Sequence, residues 1–173
     1  MTKIDKAFKE LISLGLVEAT PYRIFGAQAT GCSPVAAAWK AGLDIVKPQR
    51  PNTIAKSLAI GNPADGPYAL DVAKRTGGAI EDVTDDEVVA GIRQLARTEG
   101  IFGETAGGVT TAVAKKLIAS GKIPANDSAV LCITGNGLKT TEAVASAIGE
   151  PYLIEAQLDS FNAAWQQAQA HNA

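Results

Sequence analysis

Apolar positions recur at helical spacing from the start of the chain. Ile4, Ala7, Phe8, Leu11 and Ile12 fall on one helix face, and Gly15 stands where a left-handed residue closes a helix. After a turn at Pro21, Arg23 to Ala27 reads as a short strand. The alanine-rich stretch from Pro34 to Ala41 predicts a helix, followed by a linker holding Pro48 and Pro51. A short apolar segment from Ile54 to Ile60 runs into Gly61-Asn62-Pro63, a turn signal. Tyr68 to Lys74 suits a further helix, stopped by Gly77 and Gly78.

Thr84-Asp85-Asp86-Glu87 carries the pattern of a capping box, in which the Thr hydroxyl accepts from the third backbone N–H and Glu87 reaches back. Val88, Ile92, Leu95 and Ala96 then mark one helical face, ended by Gly100; Val109, Ala112, Val113 and Leu117 mark another, with Gly121 beyond it. Ala129 to Ile133 is a continuous apolar run, as expected of a strand buried on both faces by helices. Thr134-Gly135-Asn136-Gly137 follows it, then a predicted helix through Ala147. From Pro151 the chain reads as an appended tail with an amphipathic helix near Phe161 to Ala168. Short strands alternating with helices predict an α/β fold with a mainly parallel sheet flanked by helices, in one domain over residues 1–150 with a tail over 151–173.

Composition changes this picture little. The 173 residues are 46% hydrophobic, enough for one domain with a core. Sixteen basic and 18 acidic residues are nearly balanced and scattered, which gives no reason to expect nucleic acid or a membrane surface as partner. No apolar run approaches the roughly 20 residues that span a bilayer. Met1 to Ile12 lacks the apolar centre of a signal peptide, so the expected location is the cytoplasm. Cys32 and Cys132 each stand alone, which argues against zinc sites and redox pairs; both read as reduced thiols packed as small hydrophobes. The single histidine, His171, lies near the end, which disfavours histidine-based triads and metal sites.

Four segments could carry chemistry. Thr134-Gly135-Asn136-Gly137 lies at the carboxyl end of the predicted buried strand, where ligands bind in open α/β sheets. Its glycines permit close backbone approach and its hydroxyl can meet a ring nitrogen, but a tight strand-to-helix turn explains it equally well. The spacing matches neither nucleotide-binding glycine fingerprint. Thr105-Ala106-Gly107-Gly108 opens a helix, where free amides gather, and Glu104 just before it could face a ligand amine or stand exposed on a plain turn. Gln28 to Pro34 could line a cleft or simply connect elements. Lys56 and Lys139 are candidates for a Schiff-base lysine, against the ordinary reading of solvated surface charges.

As a string, the chain resembles the second half of the threonine synthases. The matching stretches are AFKELISLGL, RIFGAQATGCSP, PNTIAKSLAIGNP, DDEV, EGIFGETAGGVTTAVAKKL and ITGNGLK, in that order. Serine/threonine dehydratases share the architecture but not this set. The resemblance implies a partial large domain of a fold type II pyridoxal-phosphate enzyme, with residues 1–150 as the carboxy-terminal part of the catalytic domain. It implies a lyase of threonine biosynthesis that converts O-phosphohomoserine and water to threonine and phosphate, with pyridoxal phosphate as electron sink. On the same ground Thr134 hydrogen-bonds the pyridine nitrogen, Gly135, Asn136 and Gly137 form the adjoining wall, and Glu104 sits near the ring.

The departures from the family pattern carry further expectations. The family's Schiff-base lysine, its cofactor-contacting asparagine and its phosphate-binding glycine–asparagine loop belong to an amino-terminal half that has no counterpart here. The chain is therefore expected to be inactive alone and to need that half in cis or in trans. An incomplete sheet exposes an unpaired edge, which favours association of copies into a homo-oligomer or aggregate. The competing reading is a non-catalytic module on the same scaffold that binds a small metabolite or another protein.

Overall fold

Gly26–Ala29 (β1) and Ile80–Val83 (β2) pair in parallel, with Gly26 opposite Ile80 and Ala29 opposite Val83. The structure, a computed structural model, describes residues 1–149 and 151–171. Contacts divide these into two units, Met1–Ala143 and Val144–Ala173.

In the first unit the two strands are joined by a crossover through Pro34–Lys40 (α2) and Gly66–Thr76 (α3). A parallel pair requires such a connection, because a tight hairpin cannot return the chain in the same direction. Ile80 packs into an apolar cluster with Val35, Ala36 and Ala38 of α2 and Ala69, Leu70 and Ala73 of α3. Thr105–Ala119 (α5) packs on both strands, and Asp85–Glu99 (α4) packs on α5. A Cβ at Gly91 would lie 2.4 Å from the carbonyl oxygen of Gly108, and one at Gly108 would lie 2.5 Å from that of Val88, so the α4–α5 approach requires glycine on both sides. The helix ends follow the expected chemistry. Thr84 caps α4 in a complete capping box with Glu87, and Gly100 closes the helix at φ +68°.

The amino-terminal helix, Thr2–Ser13 (α1), forms where the periodicity places it, with Gly15 left-handed beyond its end. Its apolar stripe is only partly covered, since Ile4, Phe8 and Leu11 keep 38–41% of their surface in solvent, and the buried residue of the helix is Asp5. Phe8 stacks on Tyr22 with ring centroids 4.8 Å apart.

Two strand expectations are corrected, and one strand went unread. The first strand begins at Gly26 rather than Arg23; the Ile24 N–H is occupied by the Thr76 hydroxyl at 3.1 Å instead of a strand partner. The second strand, Ile80–Val83, has no alternation in sequence because Glu81 and Asp82 occupy its centre. Ala129 to Ile133 was expected to be a strand buried on both faces, but among the described residues it pairs with no strand, and Val130 is 92% exposed. Such a strand needs neighbours on its edges and helices on its faces. Here only Ile133 is tucked in, against Gly103 and Gly107.

The helix expected through Ala147 is likewise broken, into 3-10 turns at Gly137–Lys139 and Thr141–Ala143 and, in the second unit, a short helix Ala145–Ile148 (α6). That unit also holds Leu158–His171 (α7), whose Phe161 and Trp165 rings stack at 6.2 Å.

Candidate functional site

The start of α5 is where the candidate residues converge. Glu104 occupies the N-cap position in an extended conformation (φ −67°, ψ 176°), yet its carboxylate makes no bond to its own helix. The residue is buried, and Oε2 lies 3.3 Å from Lys139 Nζ. The Glu104 N–H donates to the Gly135 carbonyl at 3.0 Å, and the Gly137 N–H donates to the Phe102 carbonyl at 2.8 Å. Gly103 and Asn136 form an isolated antiparallel bridge between these bonds. The structure thus brings together two segments that the sequence presents separately, Glu104 with the helix it opens and the loop from Thr134 to Gly137.

The two glycines of that loop answer to the protein's own packing. A Cβ on Gly135 would lie 2.0 Å from Glu104 Oε1, and one on Gly137 would lie 2.5 Å from the Phe102 ring. Close approach was expected to serve a ligand; Glu104 and Phe102 take up that space instead. Asn136 is exposed and its Oδ1 accepts from the Leu138 N–H at 2.9 Å, capping the following turn. Thr134 is exposed, and its hydroxyl has no partner among the described residues. Close by, the Thr105 N–H donates to the Thr140 hydroxyl at 3.3 Å, while Thr105 Oγ1 is fully buried without a hydrogen-bond partner. A buried hydroxyl left unpaired is uncommon and marks this end of α5 as unsatisfied.

The remaining candidates lie elsewhere. Gln28 Oε1 accepts from the Val35 and Ala36 N–H groups at 3.0 and 2.9 Å, so this residue caps α2 rather than lining a cleft. Lys56 is exposed in the turn Lys56–Leu58, with no side-chain partner among the described residues. Lys139 is engaged with Glu104 and its side chain is 64% exposed. Neither lysine has the desolvated setting that activates an amine. Cys32 is buried, which pushes its thiol up from the ordinary value, whereas Cys132 is exposed, contrary to its expected packing.

Two charge networks went unread in the sequence. Lys40 of α2 bridges Glu81 and Asp82, and Lys116 of α5 donates to the Asp82 carbonyl at 2.9 Å. Burial pushes both carboxyls up, but Lys40 more than offsets it and holds them below the usual range. The second network surrounds Asp5, which accepts from Arg75 and Tyr22 and pairs with Lys9. The i,i+4 spacing of Asp5 and Lys9 is legible in sequence; Arg75 becomes a neighbour only through the packing of α3 on α1.

Residues 6–135 match the family described as pyridoxal-phosphate dependent enzyme. The chain belongs to that family. Within it, the chain is 39% identical over 160 residues to the threonine synthase of Methanocaldococcus jannaschii, covering 92% of this chain and 39% of the relative. Against the threonine synthase of Methanosarcina acetivorans it is 35% identical over 165 residues, covering 95% and 40%. The threonine synthase of Halalkalibacterium halodurans is 42% identical over 100 residues, covering 58% and 28%. The chain therefore spans about two-fifths of the length of the first two relatives. The family match takes in the start of α5 and ends at Gly135, inside the loop that folds back on it. Among the described residues, no helix is long and apolar enough to cross a membrane.

Proposed function

We propose that this chain is the carboxy-terminal portion of a threonine synthase. Joined in cis or in trans by the further length its relatives carry, it takes part in converting O-phosphohomoserine and water to threonine and phosphate. In this reading residues 1–150 complete the catalytic domain, 151–173 form an appended tail, and the enzyme works in the cytoplasm.

The observation that carries the proposal is the loop from Thr134 to Gly137, folded onto the start of α5 with Gly135 against buried Glu104 and, just before it, a Thr134 hydroxyl that has no partner among the described residues. The groups present suit one edge of pyridoxal phosphate. A neutral hydroxyl matches a pyridine nitrogen, and the unsatisfied Thr105 hydroxyl is buried in the first turn of the same helix, α5. When bound, the cofactor supplies an electron sink for carbanion chemistry at the substrate. Thr134 would donate a hydrogen bond to the ring nitrogen without protonating it, which moderates the sink. Gly135, Asn136 and Gly137 would form the wall next to it, and Glu104 would hold negative charge behind the ring edge.

In this reading the cofactor-linking lysine and the phosphate site come from the complementing portion, and the chain is inactive by itself. The test is to mix the chain with a separately produced amino-terminal portion of a threonine synthase relative, pyridoxal phosphate and O-phosphohomoserine, and to measure phosphate release. Turnover is expected from the mixture and from neither part alone. Replacing Thr134 by valine is expected to lower kcat by about 10- to 100-fold, the cost of leaving the ring nitrogen without its hydrogen bond. A complementing portion that folds and binds the chain yet releases no phosphate would overturn the proposal.

A further inference from the structure

We infer that Glu104 is a positioning residue for the Thr134 hydroxyl, acting through a lock that it forms with Lys139 and the backbone of Gly135. The inference rests on the reading of Thr134 as a cofactor contact and assigns the means by which that hydroxyl is aimed.

An N-cap side chain ordinarily accepts from an amide of its own first turn. Glu104 does not, although it stands at that position. Its carboxylate turns toward the loop, where Oε1 fills the space over Gly135 and Oε2 meets Lys139 Nζ at 3.3 Å. A buried carboxylate without such a partner would be costly, so the geometry calls for the ammonium group. Lys139 is in turn fixed in the 3-10 turn Gly137–Lys139 that follows the loop.

Three backbone donors close the arrangement. Glu104 N–H reaches the Gly135 carbonyl, Gly137 N–H reaches the Phe102 carbonyl, and Thr105 N–H reaches the Thr140 hydroxyl. The loop is thus pinned on both sides of Asn136, and Thr134 sits immediately before the first pin. With no side-chain bond of its own, the Thr134 hydroxyl takes its direction from this backbone. The buried carboxylate sets where the backbone lies, because any Cβ at position 135 would occupy its place.

The test needs no cofactor. Three-bond couplings by nuclear magnetic resonance report the χ1 rotamer of Thr134 in the full chain, and amide exchange reports Gly137. In the unmodified chain Thr134 is expected in one dominant rotamer. Glu104→Gln keeps the shape and removes the charge; Lys139→Met removes the partner from a largely exposed position. Both are expected to average the Thr134 rotamer and to speed exchange at Gly137 by roughly tenfold, with amides in the α4–α5 core unchanged. Lys139→Arg is expected to restore the single rotamer. A general loss of stability would move the core amides as well, which separates positioning from a merely structural role. A Thr134 rotamer already averaged in the unmodified chain, or unchanged in Lys139→Met, would overturn the inference. The reading of Thr134 itself stands or falls separately, on the kcat of Thr134→Val in the reconstituted mixture.

Discussion

Arg75 donates to both oxygens of Asp5, at 3.2 and 2.9 Å, across 70 residues of chain. This joins α1 to α3, and the Tyr22 hydroxyl adds a third donor at 2.9 Å. With the apolar stripe of α1 only partly covered, these bonds are a specific attachment of that helix. Asp5→Ala is expected to lower stability by about 1.5–3 kcal/mol, the range for hydrogen bonds to a charged group, measured by urea unfolding.

The same carboxylate sets a pH dependence. The hydrogen bond from Arg75 is the largest influence on Asp5; burial opposes it, Lys9 and Tyr22 reinforce it, and the result lies well below the usual carboxylate range. A depressed folded-state value means that the stabilisation is fully present above the unfolded value of about 3.9 and is lost as pH falls through the folded one. The stability difference between the unmodified chain and Asp5→Asn should hold steady from neutral pH to about 5 and shrink below about 4. A difference that is undiminished in acid would contradict this account.

The capping box of α4 offers a smaller effect. Thr84→Ala removes the acceptor for the Glu87 N–H, seen at 3.3 Å, and leaves the reciprocal bond from the Thr84 N–H to Glu87 in place. A loss of about 1 kcal/mol is expected in thermal unfolding.

Gly108 sets two effects against each other. Alanine there would favour the helix by about 1 kcal/mol. Its Cβ would also press on the Val88 carbonyl at 2.5 Å and the Ile92 side chain at 2.6 Å, and a helix backbone cannot yield locally. Overpacking of this kind costs about 1–3 kcal/mol, so Gly108→Ala is expected to be net destabilising in a thermal melt. A raised midpoint would show that α4 and α5 separate freely.

Val130 tests the proposed joining of parts. It is 92% exposed in the unpaired segment from Ala129 to Ile133, so Val130→Asp should change the stability of the chain alone by less than about 0.5 kcal/mol. If that segment becomes a buried strand when the complementing portion binds, the same substitution should sharply reduce phosphate release from the mixture. Equal activity would mean that the segment stays in solvent.

Helix positions were the most legible part of the fold, because periodicity, capping residues and closing glycines are local signals. α1, α3, α4 and α5 all appear close to their expected places, and the capping box forms as read. Strands were less legible. Ile80–Val83 hides two charges that the lysines of α2 and α5 make tolerable, and the apolar run at 129–133 reads as buried although among the described residues no strand pairs with it. Of the candidate site, the residue types at Glu104 and at Thr134 to Gly137 were visible as two isolated segments.

The sequence by itself determined the helical framework, the α/β class and the kinship with pyridoxal-phosphate enzymes, since each is written in local patterns and residue order. Only the tertiary structure decided that Glu104 turns from its own helix toward Lys139, that Gly135 is glycine to make room for it, and that Asp5 ties α1 to α3 through Arg75. Those relationships join residues far apart in the chain, and short-range spacing carries no information about which distant side chain will fill a given space.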